Sequence, residues 1–259
     1  MRVTIWVTEH PYSQRIATSL KLGFKDDGVV AATLQYNDDT INATDVHIGY
    51  GILRGMGEVY RRIGMAGKHW FNIDLGYFGA AHFDGTYRIA YKGTQNKFDT
   101  HIQSEACPEI LPWKNSGGKT DGEFALICPP TQFAAEFFGI DEARWLEQAE
   151  AHANQLGLTI KIRRKDDPEK LDDAFASAGA VITFNSSVGW KALQLGIPTF
   201  SDVTHSTLGS WHGDVKSVDG LKQLNRESLF RFMVANQLTL LDMQQGKLLP
   251  MLKRTLPST

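Results

Sequence analysis

Asn185, Ser186, Ser187 and Gly189 form the densest group of chemistry-bearing residues in this chain. They follow a short apolar run, Val181-Ile182-Thr183-Phe184, and precede a helical pattern from Val188 to Leu195. Gly196 stops that helix, and Pro198-Thr199-Phe200 opens another strand. The first N–H groups of a helix have no intrahelical acceptor and carry a partial positive charge. Short hydroxyl and amide side chains with a glycine at that point suit a phosphate or diphosphate. The same residues also serve as ordinary helix caps, so the pattern alone admits both readings. A basic segment, Lys161 to Lys165, ends the preceding strand, and a polar loop, Val203 to His212, follows the next one. His205 and His212 in that loop have no third ligand near them in sequence, so no metal site is expected.

The first half offers acid–base candidates. Phe71-Asn72-Ile73-Asp74 reads as an apolar strand with Asp74 at its C-terminal end, where α/β domains present catalytic groups. Asp74 is a candidate base, or else a turn cap. His10, in Glu9-His10-Pro11-Tyr12 after the first strand, is a second candidate base, or a structural turn histidine. Tyr77 and Arg88 flank this region and are candidates for contact with a bound ligand. Arg88 reads equally as a salt-bridge partner of Asp74. Arg54, Arg61, Arg62 and Lys68 make a local basic cluster, read either as a solvated face or as phosphate contacts.

These residues need a scaffold, and the rest of the chain describes one. The 259 residues are 42% hydrophobic and 22% charged, with a net charge of −2, as in a soluble globular protein. The near-neutral balance argues against a broad nucleic-acid surface. No run reaches membrane-span length, and Met1 to Thr8 reads as a first strand rather than a signal peptide. The two cysteines, Cys107 and Cys128, form no motif and fit a reducing, cytoplasmic setting. Strands and helices alternate. The first half reads as strand 2–8, helix 11–22, strands 29–35 and 45–49, helix 52–64, and strands 69–74 and 86–91. The segment 115–122 is polar and glycine-containing, the best linker candidate. Phe124 to Cys128 restarts the pattern as a buried strand. A helix capped by Asp141, a strand 158–162 and the segment described first follow it. The tail from Ser217 to Leu256 is mostly helical. The expected fold is α/β. Two Rossmann-like domains, 1–115 and 123–259, enclose a cleft, and the second carries the helical C-terminal tail.

Asn185-Ser186-Ser187-Val188-Gly189-x-x-Ala192-Leu193-x-x-Gly196-Ile197-Pro198 resembles the donor segment of GT-B glycosyltransferases, most closely the capsule-polysaccharide, Kdo-transferase-like branch. Ile160 to Lys165, Asp172-Asp173-Ala174-Phe175 and Ala178-Gly179-Ala180 extend the resemblance over roughly residues 123–210. Where that branch carries Lys-x-His-Pro, this chain has Arg163-Arg164-Lys165-Asp166, so the histidine's role does not transfer. Asp74-Leu75-Gly76-Tyr77-Phe78 followed by Tyr87-Arg88 is similar to a pattern in small glycosyltransferase-like proteins of phages.

The resemblance implies a nucleotide-sugar donor site built from Asn185, Ser186, Ser187 and Gly189, with Arg163 and Lys165 as cations for the departing diphosphate. It also implies donor roles for His205, Ser206 and Thr207. A helix N-terminus and cations can stabilise that leaving group without a metal, and no bound cofactor is expected beyond the nucleotide-sugar co-substrate. The acceptor side would fall to Asp74 or His10 as base, with Tyr77, Arg88, Arg61 and Arg62. The acceptor is a saccharide hydroxyl or a hydroxymethylated pyrimidine in phage DNA. Two other classes compete: a nucleotide-sugar epimerase of related fold, and a non-catalytic nucleotide-sugar-binding protein.

Overall fold

The computed structural model describes residues 1–25, 29–36, 41, 44, 46–79, 85–114 and 122–256. The expected linker at 115–122 lies, apart from Gly122, outside them. The chain divides into two compact units, Met1–Asn96 with Met233–Thr259, and Lys97–Phe232. The boundaries read from sequence put the whole C-terminal tail with the second half. In the structure its last part, from Met233, returns to the first unit.

The first unit is a six-stranded sheet. In chain order its elements are β1 (Arg2–Val7), α1 (Pro11–Lys25), β2 (Val30–Gln35), β3 (Val46–Tyr50), α2 (Met56–Met65), β4 (His69–Leu75) and β5 (Thr86–Tyr91). The sheet order places β10 (Gln237–Thr239) at one edge, then β5, β4, β3, β1 and β2. β2, β1, β3 and β4 are parallel, while β5 and β10 are antiparallel additions. Alternation of strands and helices predicted parallel sheets, so these two strands are a departure. β1 is buried from Val3 to Val7, as a central parallel strand covered on both faces must be. α1 starts on Pro11, whose missing N–H costs nothing at a first turn. Its stripe of Ile16, Leu20 and Phe24 enters the core with Val3, Ile5, Ile48, Phe71 and Ile73.

The second unit is a four-stranded parallel sheet, ordered β7 (Thr159–Ile162), β6 (Phe124–Cys128), β8 (Ala178–Thr183) and β9 (Thr199–Ser201). α3 (Gln132–Phe138) and α4 (Glu142–Gln155) join β6 to β7, α5 (Leu171–Ala176) joins β7 to β8, and α6 (Ser187–Gln194) joins β8 to β9. Val181 packs with Ala174, Phe175 and Ala192 of α5 and α6. Its neighbour Ile182 lines a cavity with Trp145 of α4, because successive strand residues face opposite ways. After β9 come α7 (Thr207–His212), α8 (Val218–Lys222) and α9 (Arg226–Ala235); after β10 come α10 (Leu240–Gln244) and α11 (Leu248–Thr255). α7 occupies most of what the sequence presents as a polar loop. No helix among the described residues is long and apolar enough to cross a membrane.

Candidate functional site

Both sheets share one topological feature. In each, the chain goes from its first strand to a neighbour on one side, then returns across to a neighbour on the other. The two connections leaving that first strand and the returning strand diverge, and ligands of open α/β sheets settle at the carboxyl ends of those strands. The switch point lies between β6 and β8 in the second unit, and between β1 and β3 in the first.

At the second unit's switch point, Pro129-Pro130-Thr131 follows β6 and Phe184-Asn185-Ser186 follows β8. Ser186 is the N-cap of α6, its hydroxyl accepting from Val188 N–H. Ser187 is the first helical residue and is exposed. Asn185 is half-buried beside them. Gly189 is buried, and its place is explained inside the unit. A Cβ there would meet Thr183 Cγ2 at 3.1 Å and Thr199 Cγ2 and Leu208 Cδ1 at 3.5 Å. The glycine seats α6 against β8 and β9.

The basic segment after β7 separates into two pairs. Lys161 is ion-paired with Glu169 at 2.6 Å, and Arg164 with Glu142. Arg163 and Lys165, the two cations singled out from the sequence, have no carboxylate partner among the described residues. Arg163 is half-buried, donates from Nη2 to the Glu169 carbonyl at 2.9 Å, and keeps a buried Nε that makes no hydrogen bond. Its backbone N–H extends the β6 ladder to Ile127, and its charge is felt at Cys128, the last residue of β6. Burial nevertheless pushes the Cys128 thiol up to about 12, so this free cysteine is no nucleophile.

His205, Ser206 and Thr207 differ from one another. Ser206 is buried and caps α7, accepting from Gly209 N–H, and Thr207 is wholly buried. His205 is half-buried. Its Nδ1 donates to Asp202 Oδ1 at 2.8 Å, since a carboxylate only accepts, and the neutral ring therefore keeps a lone pair on Nε2. Phe138 and Phe184 pack on the ring with centroids at 4.8 and 5.4 Å. Asp202 also accepts the backbone N–H groups of Thr204 and His205. The sequence reading passed over Asp202 and Phe138. Asp202 had a signal, the Asp-x-x-His spacing directly after a strand, whereas Phe138 had none. On the α4 side, a cavity of about 370 Å³ is lined by Trp145, His152, Thr183, Ser201, Asp202 and His212, among others. His212 Nδ1 donates to the Gly213 carbonyl, Nε2 lies within hydrogen-bond distance of both the N–H and the carbonyl of Ser201, and burial lowers the pKa of the ring. No group of three or more His, Cys, Asp or Glu among the described residues is placed to hold a metal ion.

In the first unit the strand ends gather aromatic rings. His10, after β1, stacks on Tyr50, the last residue of β3, at 5.6 Å and 26°. Tyr12 stands edge-on to both Tyr50 and Tyr87. Burial raises the Tyr50 pKa, and the Asp74 charge adds to it, which puts Asp74 near the same ring group. Both candidate bases therefore lie at the same sheet edge. Asp74 is engaged: Oδ2 receives Arg88 Nη2 at 2.6 Å and Oδ1 receives Leu75 N–H at 2.8 Å. The other Arg88 donors go to the carbonyls of Leu75 and Thr94. The salt bridge that the sequence allowed for Arg88 is the arrangement present. Tyr77 is buried, with its N–H on the Gln237 side chain. Arg61 and Arg62 are not brought to this edge. They lie in the second half of α2, which runs back toward the start of β4, and Arg61 is paired with Glu58 at 2.7 Å.

No protein-family model and no curated protein sequence matches the chain. Among solved structures it is similar to the Thermosulfurimonas dismutans KpsC β-Kdo 2,4 transferase, with a TM-score of 0.50 and 10% identity over 92% of this chain and 91% of that one. The β-Kdo 2,7 transferase of the same KpsC aligns with a TM-score of 0.48 and 10% identity over 95% and 99%. At this identity the first likeness is one of fold: an α/β chain of Rossmann-like character that runs through both units.

Proposed function

We propose that the chain is a glycosyltransferase that moves a sugar from a nucleotide-sugar donor to a hydroxyl acceptor, the second unit taking the donor and the first the acceptor. The observation that carries this reading is the division of the basic segment. Lys161 and Arg164 are ion-paired, whereas Arg163 and Lys165 have no carboxylate partner among the described residues. They follow β7, beside β6, at the carboxyl edge where exposed Ser187 opens α6. A helix N-terminus with unpaired cations fits a leaving group that gains negative charge as the glycosidic bond breaks. The fold likeness to a Kdo transferase over nine-tenths of both chains supports the same reading.

Thermal unfolding with UDP, GDP, CMP, ADP and dTDP and their common sugars tests it. A ligand at one hundred times its Kd stabilises by about 2.7 kcal/mol, which is readily read as a rise in Tm. One nucleotide family should give that rise, and Ser187→Ala and Arg163→Ala should each reduce it without lowering the unliganded Tm by more than a degree or two. No response to any nucleotide would overturn the donor reading. With the nucleotide known, a new sugar isomer formed without acceptor would mean an epimerase instead. On the acceptor side, DNA binding that weakens steeply with salt and is lost on Arg61→Glu with Arg62→Glu would select the DNA acceptor. Salt-insensitive turnover would select a saccharide.

A further inference from the structure

His10 stands at the first unit's switch point, and its hydrogen bonds decide what it can offer there. Tyr12 N–H donates to His10 Nδ1 at 3.3 Å. An imidazole nitrogen that accepts carries no proton, so the neutral ring carries its proton on Nε2. The backbone N–H of His10 is tied to Thr8 Oγ1, and the ring face lies on Tyr50, so the ring is held at Nδ1 and on one face. Burial, and then the nearby charge of Arg54, lower the pKa of the ring. A base at this position would need its lone pair on Nε2. The Tyr12 N–H opposes that tautomer, so His10 presents a donor.

Arg54 follows Tyr50, the ring partner of His10, by four residues, and its charge reaches the His10 ring. The turn after β3 carries Gly51 at φ 65°, Arg54 at φ 54° and Gly55 at φ 84°. A non-glycine residue in the left-handed region is strained, and such strain collects at ligand sites. Arg54 is exposed, with no carboxylate partner among the described residues. Arg61, four residues beyond Gly57 on α2, is by contrast paired with Glu58.

We infer that His10 Nε2–H and Arg54 form an oxyanion-binding subsite at the β1/β3 switch point, with His10 as a fixed hydrogen-bond donor rather than the base. The ligand is a phosphate or a carboxylate, one oxygen accepting from His10 while Arg54 supplies the charge. For glycosyl transfer this would make the subsite a holder of an acidic group on the acceptor, which rests on the function proposed above. The binding itself does not depend on that function.

The test is nuclear magnetic resonance on the full chain labelled with 15N-histidine, His10 being assigned by the signals lost in His10→Gln. Long-range 1H–15N correlations at a pH where the ring is neutral should show the proton on Nε2. Inorganic phosphate and, separately, acetate are then titrated against chloride at equal ionic strength. A saturable shift of the His10 signals is expected, weakened at least tenfold in Arg54→Gly, a substitution that suits the left-handed backbone. A response to phosphate alone assigns a phosphorylated ligand; a response to both admits a carboxylate. A proton on Nδ1, the absence of a shift beyond chloride, or a shift unchanged in Arg54→Gly would each overturn the proposal. Nucleotide binding at Ser187 is measured separately, so failure here leaves the donor reading standing and the reverse also holds.

Discussion

At the scale of single residues, the two carboxyl-edge sites differ in how their polar groups are occupied. Asp74 and Arg88 spend their charges on each other and on the backbone of their own unit. The pair is largely shielded, with side-chain exposures of 27% and 12%, so it is worth more than a surface ion pair. Arg88→Ala leaves a carboxylate and two carbonyls without their donor, and should lower the urea-unfolding free energy by about 2–4 kcal/mol. Asp74→Asn keeps the shape and should cost about 1 kcal/mol. If Asp74 is the base, Asp74→Asn abolishes turnover at that small cost; if turnover survives, Asp74 only positions β4 against β5. From sequence, Asp74 and Arg88 could be selected, and their salt bridge stood as one of two readings of Arg88. The antiparallel register that sets residue 74 opposite residue 88 decides between the two.

At the scale of elements, two glycines show how the helices of the second unit are seated. Gly189 on α6 has side-chain methyl groups nearest, and these can yield by tenths of an ångström. Gly189→Ala should therefore change stability little, since helix propensity returns about 1 kcal/mol against the tight contact with Thr183. Gly209 on α7 has the Asp202 carbonyl oxygen 1.9 Å from where a Cβ would stand. Backbone cannot yield so far, and Gly209→Ala should cost more than 2 kcal/mol and disturb Asp202, which holds His205. Thermal unfolding of the two variants side by side checks the contrast. α6 was legible in the sequence because Val188 to Leu195 is long enough to show its period and Gly196 marks its end. α7 was not. Six residues of Thr-Leu-Gly-Ser-Trp-His show no periodicity, and the helix is secured by its Ser206 cap and by packing on β9.

At the scale of the whole molecule, the C-terminal tail belongs to the first unit. β10 pairs with β5, and Leu238, Met243, Leu248, Leu249, Met251 and Leu252 enter the core formed by the first 96 residues. Gly23 of α1 admits the approach, since a Cβ there would lie 2.0 Å from the Met243 carbonyl oxygen. Each such side chain contributes about 1.5–3 kcal/mol on burial, and a domain's entire stability is about 5–15 kcal/mol. A chain ending at Phe232 should therefore fail to fold its first unit, read as protease sensitivity of residues 1–96. Residues 97–232 expressed alone should stay protease-resistant. Resistance of the first unit in the truncated chain would show that the tail is dispensable.

Local pattern alone determined the α/β class, most of the longer strands and helices, and the two carboxyl edges, because each depends on hydrophobic period and on punctuation by glycine and proline. It also marked His10 and Asp74 as candidates by their place at strand ends, and the family resemblance added Arg163 and Lys165. Tertiary structure decided which of these charges are ion-paired among the described residues, which reading of Arg88 holds, and where the tail packs. Those outcomes depend on the register of strands far apart in sequence, such as β4 with β5 or β10 with β5, which no local pattern encodes.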